Sequence, residues 1–204
     1  MAPRKAAALS DRDDDRDLRA HLIATAERMM VEQGSAGLTV RAIARAAGVA
    51  TGVLYNHFAD KEELLAAALR AHVDEVQRGL GLLPQAGTGA VAANLRVYLD
   101  RGLALHRAIV PVIAGLLAQP AALARFAESD ARRDWRHRLA GYLHAERDLG
   151  RLAPDARVDA AVAVLAGICH DQVLSALLAA RPVADPPSLD SVVALVLDGI
   201  RAPS

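Results

Sequence analysis

The sequence predicts an all-α fold, with three small helices leading and a larger helical bundle behind. Three observations carry this reading. From about residue 17 onward, apolar side chains recur at three- and four-residue intervals, the period of a helix with one buried face. No stretch alternates apolar and polar residues as a half-buried strand would, and no segment repeats another. The interruptions are helix stops: Gly34, Gly48, the run GLLPQAGTG at 81–89, Pro120, the turn from Gly150 to Pro154, and RPVADPP.

At 204 residues the chain can bury a proper core, as one large domain or two small ones. With 53% apolar and 24% charged residues it has the mixture of a soluble globular protein. Acids and bases balance at 24 each, so overall charge argues for no polyanionic partner and any basic surface must be local. Cys169 is the only cysteine, which excludes a disulfide framework and a cysteine cluster for zinc. The opening MAPRKAAALSDRDDDRD has a basic tip but no apolar core region, unlike a secretory signal. The longest uncharged apolar run, about Ala160 to Cys169, falls short of the ~18 residues that suggest a membrane span. These features predict a cytoplasmic protein without a membrane partner, metal or cofactor.

Residues 1–16 are expected to be a disordered lead-in, being short of large apolar side chains and rich in charge. Leu22, Ile23, Ala26, Met29 and Met30 then form one helical stripe that Gly34 stops. RAIARAA (41–47) follows a capping Thr39 and ends at Gly48, and TGVLYNHF makes another short helix. Lys61 opens a long helix carrying Leu64, Leu65, Ala68, Leu69, Val73 and Val76 on one side. Further helices are expected at about 90–106, 108–118, 121–147, 155–180 and 188–201. The domain reading is a lead-in over 1–16, a small helical domain over 17–60 and the bundle over 61–204.

The informative stretch is AGVATGVLYNHFADKEEL, from Ala47 to Leu64. Two short helices joined by a tight glycine turn form a helix-turn-helix. Ile43, Ala44 and Ala47 supply the inner face of the first, and Val49, Val53 and Leu54 that of the second. The second helix is about seven residues, roughly 10 Å long at 1.5 Å per residue, and fits a major groove ~12 Å wide. Its outer face carries Thr51, Tyr55 and Asn56. Gly52 leaves room for a phosphate backbone, Tyr55 and His57 can donate to phosphate oxygens, and Phe58 anchors the helix end. Lys61 opposes the dipole of the helix it opens, but with a phosphate at that end both hold the anion. Asn56 suits an adenine edge, and Arg41 a guanine or a phosphate. From Leu38 to Phe58 the only formal charges are Arg41 and Arg45, so the patch is locally basic.

Thr39, Ile43-Ala44, Ala47-Gly48-Val49, Gly52, Leu54-Tyr55, His57-Phe58, Lys61 and Leu64 closely resemble the TetR-family signature, over about 45 residues with the preceding helix. The resemblance implies a homodimeric bacterial transcription regulator with a subunit of about nine helices. Its front three helices would bind a palindromic operator of double-stranded DNA, and its bundle a small effector. It further implies base contacts from Arg41 and Thr51 and phosphate contacts from Tyr55, His57 and Lys61. The chain departs from the pattern at Ala50, where a serine commonly caps the recognition helix, and at Val53, a frequent Thr or Ser. With no cap at Ala50, Thr51 is expected to take over that role at some expense to base reading.

Behind the head the resemblance thins to helix lengths and the turn LGRLAPDARVD. The last two helices are apolar enough to form a four-helix interface with a symmetric partner. Val164, Ile168, Val193, Val196, Leu197 and Ile200 are the expected interface residues. Tyr98, His106, Trp135, Tyr142 and His170 are the expected effector contacts, apolar bodies with polar tips among Leu, Val, Ile and Ala. That lining points to a small, apolar, weakly aromatic ligand. The expected function is a ligand-released repressor. The alternatives are a helix-turn-helix activator or architectural DNA binder without effector and, far behind, an α-helical enzyme. His137 and His144 lie two turns apart, about 10.5 Å along one face, and Cys169-His170-Asp171 point in different directions, so neither set has ligand or triad spacing.

Overall fold

A computed structural model describes residues 4–34, 38–128, 134–178 and 187–200. The described residues are helical with no strand. In order they form α1 (Arg4–Gln33), α2 (Val40–Ala46), α3 (Thr51–His57), α4 (Lys61–Gly79) and α5 (Val91–Gly115). A 3-10 turn (Leu116–Ala118) leads to α6 (Pro120–Ala127), α7 (Asp134–Asp148), α8 (Val158–Leu178) and α9 (Leu189–Ile200). By packing, residues 1–75 with 112–129 form one unit, and residues 76–111 with 130–204 form a second.

Three elements differ from expectation. α1 starts at Arg4, inside the stretch expected to be a disordered lead-in. Three consecutive alanines (6–8) and the absence of Gly or Pro from Arg4 to Gln33 favour a continued helix over a break. The helices expected at 90–106 and 108–118 are one, α5, which runs straight through Pro111. A proline costs a helix interior about 3 kcal/mol, but Leu105, Ile109, Val112 and Leu116 are all buried along this stretch. Burial of side chains on that scale outweighs one lost hydrogen bond. The single helix expected over 121–147 is two, since α6 ends at Ala127 with Glu128 capping it. The RPVADPP loop lies outside the described residues apart from its last proline.

In the first unit the core is Leu22, Ala26 and Met30 of α1, Leu38, Ile43 and Ala44 around α2, Leu54 and Phe58 of α3, and Leu64, Leu65 and Leu69 of α4. Phe126 and Leu116 add to it from the later segment. A bidentate ion pair closes this unit, Arg125 of α6 donating through both guanidinium nitrogens to Asp60, at 2.7 Å on the second oxygen. Asp60 in turn caps α4 by accepting from the Glu63 N–H at 2.8 Å, while Glu63 accepts from the Ala59 N–H at 2.8 Å. The Arg125 guanidinium holds the Asp60 carboxyl below its ordinary range.

In the second unit α5 buries Leu95, Tyr98, Leu99 and Leu103, and α7 buries Trp135, Leu139, Tyr142 and Leu143. α8 and α9 complete the core. The 81–89 segment is the loop the sequence predicts, and it is held by the fully buried Glu146. That carboxylate accepts from the Gly87 N–H at 3.3 Å and lies 3.2 Å from Arg151, which also donates to the Gly89 carbonyl. Two helical stretches, 91–118 and Val158–Leu178, are long and apolar enough to cross a membrane by length and composition. α8 nevertheless turns Val158, Ala161, Val162, Leu165, Ala166, Cys169 and Val173 into this core.

The proposed dimer residues are split by this packing. Val193, Val196, Leu197 and Ile200 are buried within the single chain. The apolar stripe of α9 serves the protomer's own core, as amphipathic helices do. Ile168 is half-buried, and Val164 is 48% exposed. The apolar side chains open to solvent on these helices are Val164, Leu174, Leu177, Leu178 and Leu195.

Burial sets the first testable outcome. Leu54→Ala removes a side chain that is 2% exposed and should cost ~2–5 kcal/mol in urea unfolding. The neighbouring Tyr55→Ala, at a side chain 56% exposed, should stay within ~0.5 kcal/mol. Equal losses would mean that α3 is seated the other way round.

Candidate functional site

The front unit presents α3 on the far side of its anchored face. Thr39 caps α2, its hydroxyl accepting from the Ala42 N–H at 3.1 Å. α2 ends at Ala47, and Gly48 follows with φ +74°, a left-handed conformation that L side chains adopt only with strain. His21 of α1 reaches the Ala47 carbonyl at 3.2 Å and pins this turn from below. α3 then starts at Thr51. Ala50 occupies its cap position with no side-chain hydrogen bond, so Thr51 does not take over the cap as expected.

With Leu54 and Phe58 buried, Gly52, Tyr55 and Asn56 are exposed, Thr51 is half-buried, and Arg41 and Arg45 stand exposed on α2. Lys61 is half-buried at the first position of α4. His57 is placed differently from the other expected phosphate contacts. Its side chain is 5% exposed, with Nδ1 3.4 Å from the Asp15 carboxylate of α1. The ring therefore braces α3 against α1 more than it faces outward.

Two of the acids beside this surface, Asp60 and Glu63, are engaged. Asp60 is held by Arg125, and Glu63 receives both the Ala59 N–H and Arg19 at 3.4 Å. Arg19 also lies over the Phe58 ring, 4.6 Å from its centroid. Arg41, Arg45 and Lys61 thus keep a locally positive field in a neutral chain. Sequence reasoning missed Asp60 and Arg125, because their partnership spans 65 residues. A seven-residue helix with exposed polar tips, an open glycine and flanking cations has the dimensions and chemistry of a major-groove reader.

In the second unit the five expected effector residues come together. Tyr98 stacks on Tyr142 with centroids 4.8 Å apart. Trp135 donates its indole N–H to the Tyr98 carbonyl at 3.0 Å. His106 meets Trp135 edge-on at 5.6 Å and His170 at 4.4 Å. His106 donates its Nδ1–H to the Gly102 carbonyl at 2.6 Å, and burial lowers the pKa of the ring. Gly102 is what admits the indole, since a Cβ there would overlap the Trp135 ring. A glycine in mid-helix is the signal that would have flagged this position from the sequence.

Of these five, only Trp135 lines the unit's cleft, which measures about 310 Å³ with its open mouth included. Leu80, Leu83 and Leu105 give it apolar lining, and Gln77, Arg101 and Arg138 give it polar lining. The arginines and Gln77 depart from the expected lining of mainly Leu, Val, Ile and Ala with polar-tipped aromatic and histidine contacts. Arginines are common throughout the chain, so nothing in the sequence distinguished these two. Beside the cluster, burial pushes the Cys169 thiol up to about 12, a protonated and unreactive state.

Capping yields a second pair of outcomes. Thr39→Ala should cost ~1 kcal/mol of stability and Ala50→Ser should add ~0.5–1 kcal/mol, because only the second position lacks a side-chain cap. Thermal unfolding of both variants checks the signs. A neutral Ala50→Ser would show that the α3 terminus is already satisfied.

Residues 22–68 match the family model of the bacterial regulatory proteins of the tetR family. The transcriptional repressor KstR2 of Mycobacterium tuberculosis is 45% identical over 56 residues, a match spanning 28% of this chain and 28% of that protein. Two solved structures share the fold over nearly the whole length. The flavonoid-responsive regulator FrrA is 24% identical, with 92% of this chain and 99% of that chain covered and a TM-score of 0.68. The multidrug binding protein EbrR, complexed with imidazole, is 24% identical, with 91% and 96% covered and a TM-score of 0.62. Over residues 22–68, its helix-turn-helix segment, this chain matches the DNA-binding domain of the bacterial regulatory proteins of the tetR family.

Proposed function

We propose that the protein is a cytoplasmic transcriptional repressor that binds a palindromic operator as a homodimer and is released by a small effector. The observation that carries this is the division of α3, with Leu54 and Phe58 buried and Gly52, Tyr55 and Asn56 facing out. Similarity to the repressor KstR2 over the reading head supports repression as the outcome. Likeness in fold to a flavonoid-responsive regulator and a multidrug binding protein supports a ligand-binding bundle.

In this reading Arg41, Thr51 and Asn56 address base edges, while Tyr55 and Lys61 hold phosphates with Gly52 allowing close approach. Thr39 sets the α2 end that carries Arg41, and His57 holds α3 at its angle. A seven-residue helix reads only a few base pairs, so specificity requires two heads about 34 Å apart. The exposed apolar side chains of α8 and α9, led by Val164, supply the surface on which two protomers would join. α4 begins at Lys61 and its last turn lines the cleft. A ligand there would displace that turn and alter the spacing of the heads. By linkage, the effector must bind free protein more tightly than operator-bound protein, by the factor it weakens DNA binding.

Lys61→Ala should weaken binding to operator and random duplex alike and lower the salt slope by about one charge. Arg41→Ala should cost ~1–3 kcal/mol on operator and much less on random duplex. Fluorescence anisotropy over a salt series measures both, and an unchanged slope would remove Lys61 from the interface.

Val164→Asp should leave the protomer folded but halve its sedimenting mass, by placing an unpaired charge in the joint. Val193→Asp should instead unfold it. A Val164→Asp protein that still sediments as a dimer would place the joint elsewhere.

A further inference from the structure

Within the second unit, two arginines, Arg101 of α5 and Arg138 of α7, line the cleft, and no carboxylate lines it. The Nη1 of Arg101 is shut off from solvent and has no hydrogen-bond partner. Gly81 lies beside this guanidinium, 3.5 Å from Nη2 to the point where a Cβ would sit. A buried cationic N–H without an acceptor is costly, and folded proteins rarely leave one so. The chemistry that satisfies a guanidinium fork best is a planar oxyanion, which accepts two parallel hydrogen bonds. Leu80, Leu83, Leu105 and Trp135 also line the cleft, an apolar surface for a hydrocarbon body.

We propose that the cleft takes an amphipathic carboxylate, its anionic head on Arg101 with Gln77 and Arg138 beside it and its hydrocarbon chain against the leucines and Trp135. This deepens the effector reading above and rests on it. It also revises the ligand class: the sequence reading expected a mainly aliphatic molecule, and the lining arginines add a negative charge.

Trp135 is the chain's single tryptophan, so its emission reports on the cleft directly. The full-length protein is titrated with sodium octanoate, octan-1-ol and octylamine, which share a chain and differ in the head group. Octanoate should change the emission saturably and bind at least ~10-fold more tightly than octan-1-ol, the scale of one charge-assisted hydrogen bond, with octylamine weakest. Arg101→Gln should remove that preference while leaving octan-1-ol affinity unchanged, and Arg101→Lys should restore part of it. Equal or tighter binding of octan-1-ol, no emission change with octanoate, or an Arg101→Gln variant that keeps full octanoate affinity would overturn the proposal. The comparison of ligands on the parent chain decides the matter even where the variant does not fold. Operator affinity, measured in parallel on a duplex selected from random DNA, separates the two readings. If octan-1-ol but not octanoate releases DNA, the carboxylate class is wrong and the ligand-released repressor stands. If octanoate fills the cleft with its ~10-fold preference and operator affinity does not move, the site stands and the effector reading fails.

Discussion

The front of this protein depends on the burial of two side chains, Leu54 and Phe58, on a helix only seven residues long. A helix of that length has no stability of its own in water, because its nucleation cost is not recovered by so few hydrogen bonds. Its existence and its orientation therefore come from the core beneath it. Once those two residues are seated, helical geometry leaves Gly52, Tyr55 and Asn56 on the opposite side. Arg19 over Phe58 and His57 against Asp15 lock the rotation of the helix from the α1 side. The reading surface is thus a by-product of packing, fixed in angle before any partner arrives.

Electrostatics refine that surface over longer range. Acids open α4 beside Lys61, and unpaired they would repel a phosphate. Asp60 is instead taken by Arg125 and Glu63 by Arg19 and the Ala59 amide, so three acceptor tasks absorb the negative charge. Most of these pairs are partly exposed and contribute little stability individually. Their effect is positional: they cap α4, hold the last turn of α6 through Arg125 and offset part of the acid charge beside the cations on α2 and α4.

In the second unit the corresponding constraint is the Trp135 ring lying on Gly102. Removing one side chain from α5 lets α7 approach closely enough for the indole N–H to reach the Tyr98 carbonyl. Trp135 then lines the cleft while the stacked tyrosines and the two histidines pack behind it. The aromatic cluster is support for the cleft more than its lining. That division explains why residues chosen for polar tips on apolar bodies came together although only one of them lines the cleft.

The reading head was legible because its signals are local. Thr39 precedes an amphipathic run, Gly48 follows one, and the spacing from Ile43 to Phe58 specifies two short helices and their inner face within one stretch of chain. The same holds for the glycine-rich loop at 81–89. Elsewhere local signals misled, since Pro111 and the charged lead-in read as breaks where α5 and α1 continue. The apolar stripe of α9 closes the protomer's own core. Periodicity states that a face is buried and cannot state against what. By itself the sequence determined the all-helical class, the helix-turn-helix and the residues on its outer face, because neighbours within about four positions dictate these. Only the tertiary structure decided which apolar faces remained open, which acids were neutralised and that Arg101 would share a cleft with Trp135. Those outcomes depend on side chains tens of residues apart, and on how closely a glycine lets two helices approach.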